Sequence, residues 1–203
     1  MMFHVEQLEA ALSHLGTNNP TRVIRDLEHY VDLLANYNQS HNLISRESAK
    51  DIWHNHIFPS IAYAPLLDQT CSYIDIGTGA GLPGLILKML FPDLSIDLID
   101  SNGKKTRFCK LAYNEIECLS SANIFNSRVE SHPKKYDAAV FRAVANVELL
   151  RKLSKYVIKT GGNFISIKGK GEVLKGVSET NIDPQLITLS PALANSIMIK
   201  GSV

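Results

Sequence analysis

The sequence has only three cysteines in 203 residues, Cys71, Cys109 and Cys118. They form no C-x-x-C pair and no metal-ligand spacing, which excludes a thiol-redox motif and a cysteine-held metal. An odd number of thiols fits a reducing compartment, and all three are expected as small buried hydrophobes. No metal is expected. No apolar run approaches the roughly 18 residues that a membrane span needs. The opening MMFHVEQLEA lacks the basic start and apolar core of a signal peptide. The expectation is a cytoplasmic protein with no membrane association. Repeats and low-complexity segments are also missing. Net charge is only +1, but it is unevenly spread. Residues 1–70 carry four basic and eight acidic groups, net −4, and residues 71–203 carry seventeen and twelve, net +5. A basic half can meet a phosphate backbone, although a modest excess equally suits a solvated surface.

What is present is a change of pattern near residue 71. Before it the chain reads as helical. Val5, Leu8, Ala11, Leu12 and Leu15 keep helical spacing until Gly16. Asn19-Pro20 caps a long amphipathic helix with its stripe at Val23, Ile24, Leu27, Tyr30, Val31, Leu34 and Tyr37. Ser48 with Asp51 restarts a helix through Ile52, Trp53 and Ile57 towards Ile61. After residue 71, short apolar runs alternate with helices. Strands are expected at 73–76, 96–100, 123–125, 136–141 and 163–167. Helices are expected at 104–118 and 147–158, the latter closed by Gly161-Gly162, and one starts at Glu172. Residues 186–189 and 196–199 read as a closing antiparallel pair. The fold class is therefore α/β: a Rossmann-like, seven-stranded mixed sheet (71–203) with an N-terminal helical appendage (1–70). One domain with a small appendage suits this length, and a monomer is expected.

The most informative stretch runs from 72 to 101. Its first apolar run contains Asp75 and leads into Gly77-Thr78-Gly79-Ala80-Gly81. A helical apolar stretch follows, then a second run ending in Asp100. Three glycines let the backbone pass close to a ligand, and a carboxylate ending the second strand can accept both hydroxyls of a ribose. The dinucleotide fingerprint G-x-G-x-x-G/A is not met, because Leu82 and Pro83 stand where it needs a small residue and a free helix start. A G-x-G-x-G turn after an acidic strand fits S-adenosylmethionine better, since that cofactor has no phosphate and carries an ammonium and a sulfonium.

Together these residues resemble the bacterial guanine-N7 methyltransferases of small-subunit ribosomal RNA, the glucose-inhibited division protein B family. The matching pieces are Asp75-Ile76-Gly77-Thr78-Gly79-Ala80-Gly81-Leu82-Pro83-Gly84, Leu98-Ile99-Asp100-Ser101, Gly103-Lys104-Lys105, Arg107-Phe108, Ser127-Arg128-Val129-Glu130, Arg142-Ala143 and Lys168-Gly169. Asn42-Leu43 and His56-Ile57 match upstream. The resemblance implies a class I methyltransferase fold and S-adenosylmethionine as cofactor. It implies methyl transfer to N7 of a guanine in 16S ribosomal RNA or the small ribosomal subunit. It places cofactor contacts at Gly77, Gly79, Gly81, Leu82, Asp100, Val129, Glu130 and Arg142. The last of these could equally meet the cofactor carboxylate or RNA. It singles out Asn42, His56, Lys104, Arg128 and Lys168 as RNA or active-site groups. Lys105, Arg107, Lys110, Lys134, Lys135 and Lys170 are expected at the same sheet edge.

Departures from the family pattern are Tyr37 for Trp, Ile44 for Thr, Asn55 for a basic residue and Pro59 for Asp. Two absences bear on chemistry. Phe141-Arg142-Ala143-Val144 stands where amino-group methyltransferases show N/D-P-P-aromatic, and no Pro-Cys pair offers a nucleophile for cytosine carbon. Guanine N7 has an in-plane lone pair and no proton, so no catalytic acid or base is singled out. The alternatives are a methyltransferase for a small molecule or protein, and a non-catalytic nucleotide-binding Rossmann module.

Overall fold

The computed structural model describes residues 2–119, 122–142, 146–170 and 175–203. Ala143, Val144 and the helix start expected at Glu172 lie outside them. Helices α1 (Met2–His14) and α2 (Pro20–His41) come first. A 3-10 turn at Ser48–Asp51, a wider π-type turn at Trp53–Ile57 and the short α3 (Phe58–Ile61) follow. The sheet domain then runs β1 (Ser72–Ile76), α4 (Gly84–Leu90), β2 (Ser95–Asp100), α5 (Gly103–Glu115), β3 (Ile124–Asn126), β4 (Tyr136–Phe141) and α6 (Val147–Val157). It ends with β5 (Ile158–Gly169), β6 (Ser178–Asn181), α7 (Pro184–Ile187), α8 (Pro191–Ala194) and β7 (Ser196–Ser202). The seven strands are ordered β3-β2-β1-β4-β5-β7-β6. β1 to β5 are parallel, and β7 runs antiparallel between β5 and β6.

Local chemistry explains where α2 begins and ends. Asn19 sits at φ 70°, its side chain accepts the Arg22 N–H, and Pro20 opens the first turn. Asn42 closes the helix at φ 50°. The stripe Val23, Ile24, Leu27, Tyr30 and Leu34 is buried. It packs on α4 and α5, and α4 is buried all round because it lies between α2 and the sheet. One apolar cluster therefore runs unbroken from Leu8 and Leu12, through α2 and α4, to Tyr73, Leu98, Val140 and Ile165 on the sheet. The opposite sheet face packs Ile74, Ile99, Ala139 and Phe164 against Val147, Leu150 and Val157 of α6. Cys109 is buried, and Cys71 and Cys118 are half-buried against the first cluster.

Three sequence expectations are corrected. Residues 186–189 are not a strand. Asp183 caps α7, accepting the Gln185 N–H, and Pro184 starts it. The partner of β7 is instead β6, whose Ser-Glu-Thr-Asn sequence is exposed throughout and carries no apolar signal. Gly161-Gly162 does not separate a helix from a strand. α6 passes directly into β5, and the pair lies in a register shift between Tyr136–Ile158 and Ala138–Asn163. A Cβ at Gly162 would stand 2.5 Å from the Asp137 carbonyl. Finally, residues 48–61 form the expected right-handed helical run, but not a regular α-helix: a 3-10 turn passes through a π-type turn into α3. Pro59, in the first turn of α3, lacks the N–H that an α-helix would return to the Asn55 carbonyl.

Candidate active site

The parallel strands deliver their carboxyl ends to one edge, and the site lies there. Gly77 and Gly79 turn the chain out of β1 with φ 71° and 60°, values that favour glycine. A Cβ built on Gly77 meets nothing within 4 Å, so the absence of side chains leaves open space above the turn. Asp100, at the end of β2, holds that turn in place. Its Oδ2 accepts the Gly79 N–H at 3.0 Å and its Oδ1 accepts the Asn102 N–H at 2.8 Å. Lys105 Nζ stands 3.9 Å from Oδ2. A carboxylate has about four lone-pair directions, so Asp100 retains acceptor capacity.

Gly77, Asp100, Arg128, Val129 and Glu130 line one cavity of about 190 Å³ together with Ile76, Ile99, Ser101, Ser127 and Leu153. Val129 is buried, while Arg128 and Glu130 are exposed on the short turn after β3. Leu153 of α6 lies outside every sequence motif, and its placement depends on α6 packing against β4, β5 and the turn at Val129–Ser131.

Gly79, Gly81 and Leu82 do not line that cavity; they build the turn. Gly79 donates to Asp100, and Leu82 is buried with its N–H on the Thr78 carbonyl at 2.8 Å. Gly81 has φ 88°, and a Cβ there would fall 2.4 Å from Leu85 Cδ1. Beneath the turn, Asp75 Oδ2 accepts from Thr78 Oγ1 at 2.6 Å and from Gly84 N at 2.8 Å. Its Oδ1 is buried without a hydrogen-bond partner. Burial pushes the Asp75 carboxyl up to about 7.

Arg142 follows β4 and is half-buried. Its guanidinium donates to the Asn55 carbonyl and, at 2.9 Å, to His56 Nδ1. The Asn55 carbonyl is the one that Pro59 leaves without an α-helical donor, so Arg142 takes the place of the missing N–H. Since a guanidinium only donates, His56 Nδ1 must accept, which puts the imidazole proton on Nε2. Nε2 is buried without a partner. Burial, and then the Arg142 charge, lower His56 to about 4, so the ring is neutral.

Lys168 is the penultimate residue of β5, buried and paired with Ile197 of β7. Lys104 is exposed in the first turn of α5, which Asn102 caps. Asn42 is exposed at the end of α2, and the neighbouring Asn38 side chain accepts the Ile44 N–H at 3.0 Å. Lys134 and Lys135 are a correction. They precede β4 and so lie at the amino edge, away from the cavity. Lys134 is held by Asp97 at 2.8 Å, and Lys135 donates to the Lys155 and Tyr156 carbonyls.

Two buried tyrosines outside every sequence motif also hold the site. Tyr30 of α2 donates to the Ala80 carbonyl at 2.6 Å, tying the glycine turn to the N-terminal helices. Tyr63 donates to the Phe141 carbonyl and accepts the Ile167 N–H at 3.2 Å. A buried aromatic ring with a polar tip is the signal that would have found both.

A parallel sheet with an antiparallel β7 inserted beside β5, a glycine turn after β1 and an acid ending β2 define the Rossmann-like S-adenosylmethionine-dependent methyltransferases. The solved structure described as "PigF with SAH" shares this fold with a TM-score of 0.52, at 11% identity, covering 71% of this chain and 54% of that one. The family described as GidB, rRNA small subunit methyltransferase G, matches residues 23–193. "Ribosomal RNA small subunit methyltransferase G" of Hydrogenovibrio crunogenus is 34% identical over 169 residues, 82% of this chain and 77% of that protein. Its namesake from Moorella thermoacetica is 36% identical over 174 residues, 82% of this chain and 72% of that protein. The chain belongs to the rRNA small subunit methyltransferase G family. Among the described residues no helix is long and apolar enough to cross a membrane.

Proposed function

We propose that this chain transfers a methyl group from S-adenosylmethionine to N7 of a guanine in 16S ribosomal RNA, acting as a monomer in the cytoplasm. The observation that carries the reading is one edge of the sheet holding two things side by side. One is a cavity bounded by Gly77, Asp100, Val129 and Glu130. The other is the pair of strand ends leading to Arg142 and Lys168. The family supplies the nucleic-acid class.

The residues present fit the cofactor. The turn at Gly77 has room where a Cβ would project, Asp100 keeps free acceptor directions, and Asp75 holds an unpartnered buried oxygen beneath the turn. In this reading the backbone of Gly77 and Gly79, with Gly81 and Leu82 shaping the turn, receives the methionine moiety. Asp100 takes the ribose hydroxyls, Val129 covers the adenine face and Glu130 meets its edge. When bound, S-adenosylmethionine supplies an electrophilic methyl group on a sulfonium.

The protein's own contribution is placement. N7 of guanine needs no proton removed, and alignment of its lone pair with the methyl group carries the rate. Arg142 and Lys168 leave adjacent strands at the point where a target base would enter. His56 is held neutral and oriented by Arg142, which suits a hydrogen-bond donor and not a general acid. Lys104, Arg128 and Asn42 stand on the exposed rim and suit phosphate or sugar contacts.

The test is tritiated methyl transfer to ribosomal RNA stripped of proteins and to intact small subunits, with the modified base mapped. Label at guanine N7 in either substrate is the expected result. No label in both rejects the reading.

A further inference from the structure

The N-terminal segment reaches the site at its floor. β4 and β5 are paired up to Phe141–Ser166. One step beyond that pair, the Tyr63 hydroxyl stands between the strands, donating to the Phe141 carbonyl and accepting the Ile167 N–H at 3.2 Å. A carbonyl only accepts and an amide only donates, so a single hydroxyl satisfies both. Tyr63 is fully buried, and burial raises its phenol well above the ordinary value, so the proton needed for donation stays on the oxygen. The residues that follow the two bridged positions are Arg142 and Lys168. Arg142 is tied to the same N-terminal segment a second time, through the Asn55 carbonyl and His56.

We propose that Tyr63 is a positioning residue for methyl transfer: its hydroxyl sets the separation of the β4 and β5 ends, and so the placement of Arg142 and Lys168 about the target base. This rests on the function proposed above. Tyr30 makes the corresponding bond at the other half of the site, on the Ala80 carbonyl within the glycine turn. The two hydroxyls therefore divide their effects, Tyr30 acting on cofactor affinity and Tyr63 on turnover.

The experiment compares the unmodified protein with Tyr63→Phe and Tyr30→Phe, using tritiated methyl transfer to the better ribosomal substrate and calorimetric S-adenosylmethionine binding. For Tyr63→Phe, kcat at saturating substrates should fall on the order of tenfold, since misplacement well under 1 Å is costly. Its cofactor Kd should stay within about twofold. Tyr30→Phe should reverse the pattern, with Kd weakened roughly tenfold by loss of a buried hydrogen bond. Replacing Tyr63 with 4-aminophenylalanine, which keeps a donor at the ring tip, should restore most of the rate. Amide exchange reads the same contact without any substitution: the Ile167 amide of the unmodified protein should exchange slowly, as a bonded core amide does. An Ile167 amide that exchanges as fast as an open strand end overturns the proposal, as does a Tyr63→Phe enzyme with normal kcat. No label with the unmodified protein overturns the functional reading and this inference together.

Discussion

Replacing Asp75 with Asn should make the protein more stable, and increasingly so as pH rises. In the folded chain Asp75 Oδ2 already receives Thr78 Oγ1 and Gly84 N, and an amide oxygen would keep both bonds. The other oxygen is buried and unpartnered, so the amide nitrogen would take a place that the carboxylate fills with uncompensated charge. Burial raises the carboxyl from 3.8 to about 7. At about 1.36 kcal/mol per tenfold, that corresponds to roughly 4 kcal/mol against the ionised form. Between those two values the folded chain holds a proton that the unfolded chain has lost, so this group's contribution to stability declines as pH rises and levels off above about 7. His56 works in the opposite direction. It is lowered from 6.5 to about 4, so the unfolded chain takes up a proton first and stability falls as pH drops through that window. That slope is common to both proteins and cancels in their difference. Urea unfolding at pH 5 and pH 8 should therefore show D75N above the unmodified protein at both, with the gap widening by about 2–3 kcal/mol. A gap that is constant or narrows with pH would refute the assignment of Asp75 as an uncompensated buried acid.

Asp100→Asn should weaken cofactor binding by about 1–3 kcal/mol in calorimetry, because both carboxylate oxygens accept main-chain N–H groups and an amide can serve only one. An unchanged Kd would show that the Gly79 turn does not depend on Asp100. Gly84→Ala should lower thermal stability by about 1–3 kcal/mol, since its Cβ would lie 2.7 Å from Asp75 Oδ2 and 3.2 Å from Leu98 Cγ; a variant as stable as its parent would contradict the tight approach of α4 to β1. Binding to ribosomal RNA should weaken with salt, by about 0.7 in log–log slope per phosphate contacted. Lys104→Gln should reduce that slope by about 0.7, one contact's worth, and Lys134→Gln should leave it unchanged, because Lys134 is held by Asp97 at the far edge of the sheet. Equal effects of the two would place the RNA surface elsewhere.

The parts of this protein that can be read from sequence are those set by neighbouring residues. Gly77-Thr78-Gly79-Ala80-Gly81 between two apolar runs, with Asp100 closing the second, fixes a turn and a strand end whatever the rest of the chain does. The alternation of strands with helices likewise fixes the parallel core of the sheet. What escapes is set by distant partners. Tyr63 finds the Phe141 carbonyl 78 residues away, and its role has no local signature. β6 is an exposed polar strand defined only by hydrogen bonds to β7, so hydrophobic periodicity selected the buried Leu186 and Leu189 instead. Gly161-Gly162 looks the same whether it ends a helix or bulges a strand, and the neighbouring Asp137 carbonyl decides. Pro59 was visible as a departure from the family pattern. Its consequence, an Asn55 carbonyl left for Arg142, required the three-dimensional arrangement.

The unbroken apolar cluster beneath α2 also constrains how such a chain is made and how it can be recombined. During vectorial synthesis the α2 stripe emerges well before the segments that cover it; Tyr30, for instance, waits for a carbonyl 50 positions downstream. The N-terminal helices and the sheet should therefore melt in a single transition. The helices are not a cassette that could be traded between methyltransferases to retarget them: an exchanged α2 would bring a foreign surface against α4 and α5, and would remove the hydroxyl that holds the glycine turn.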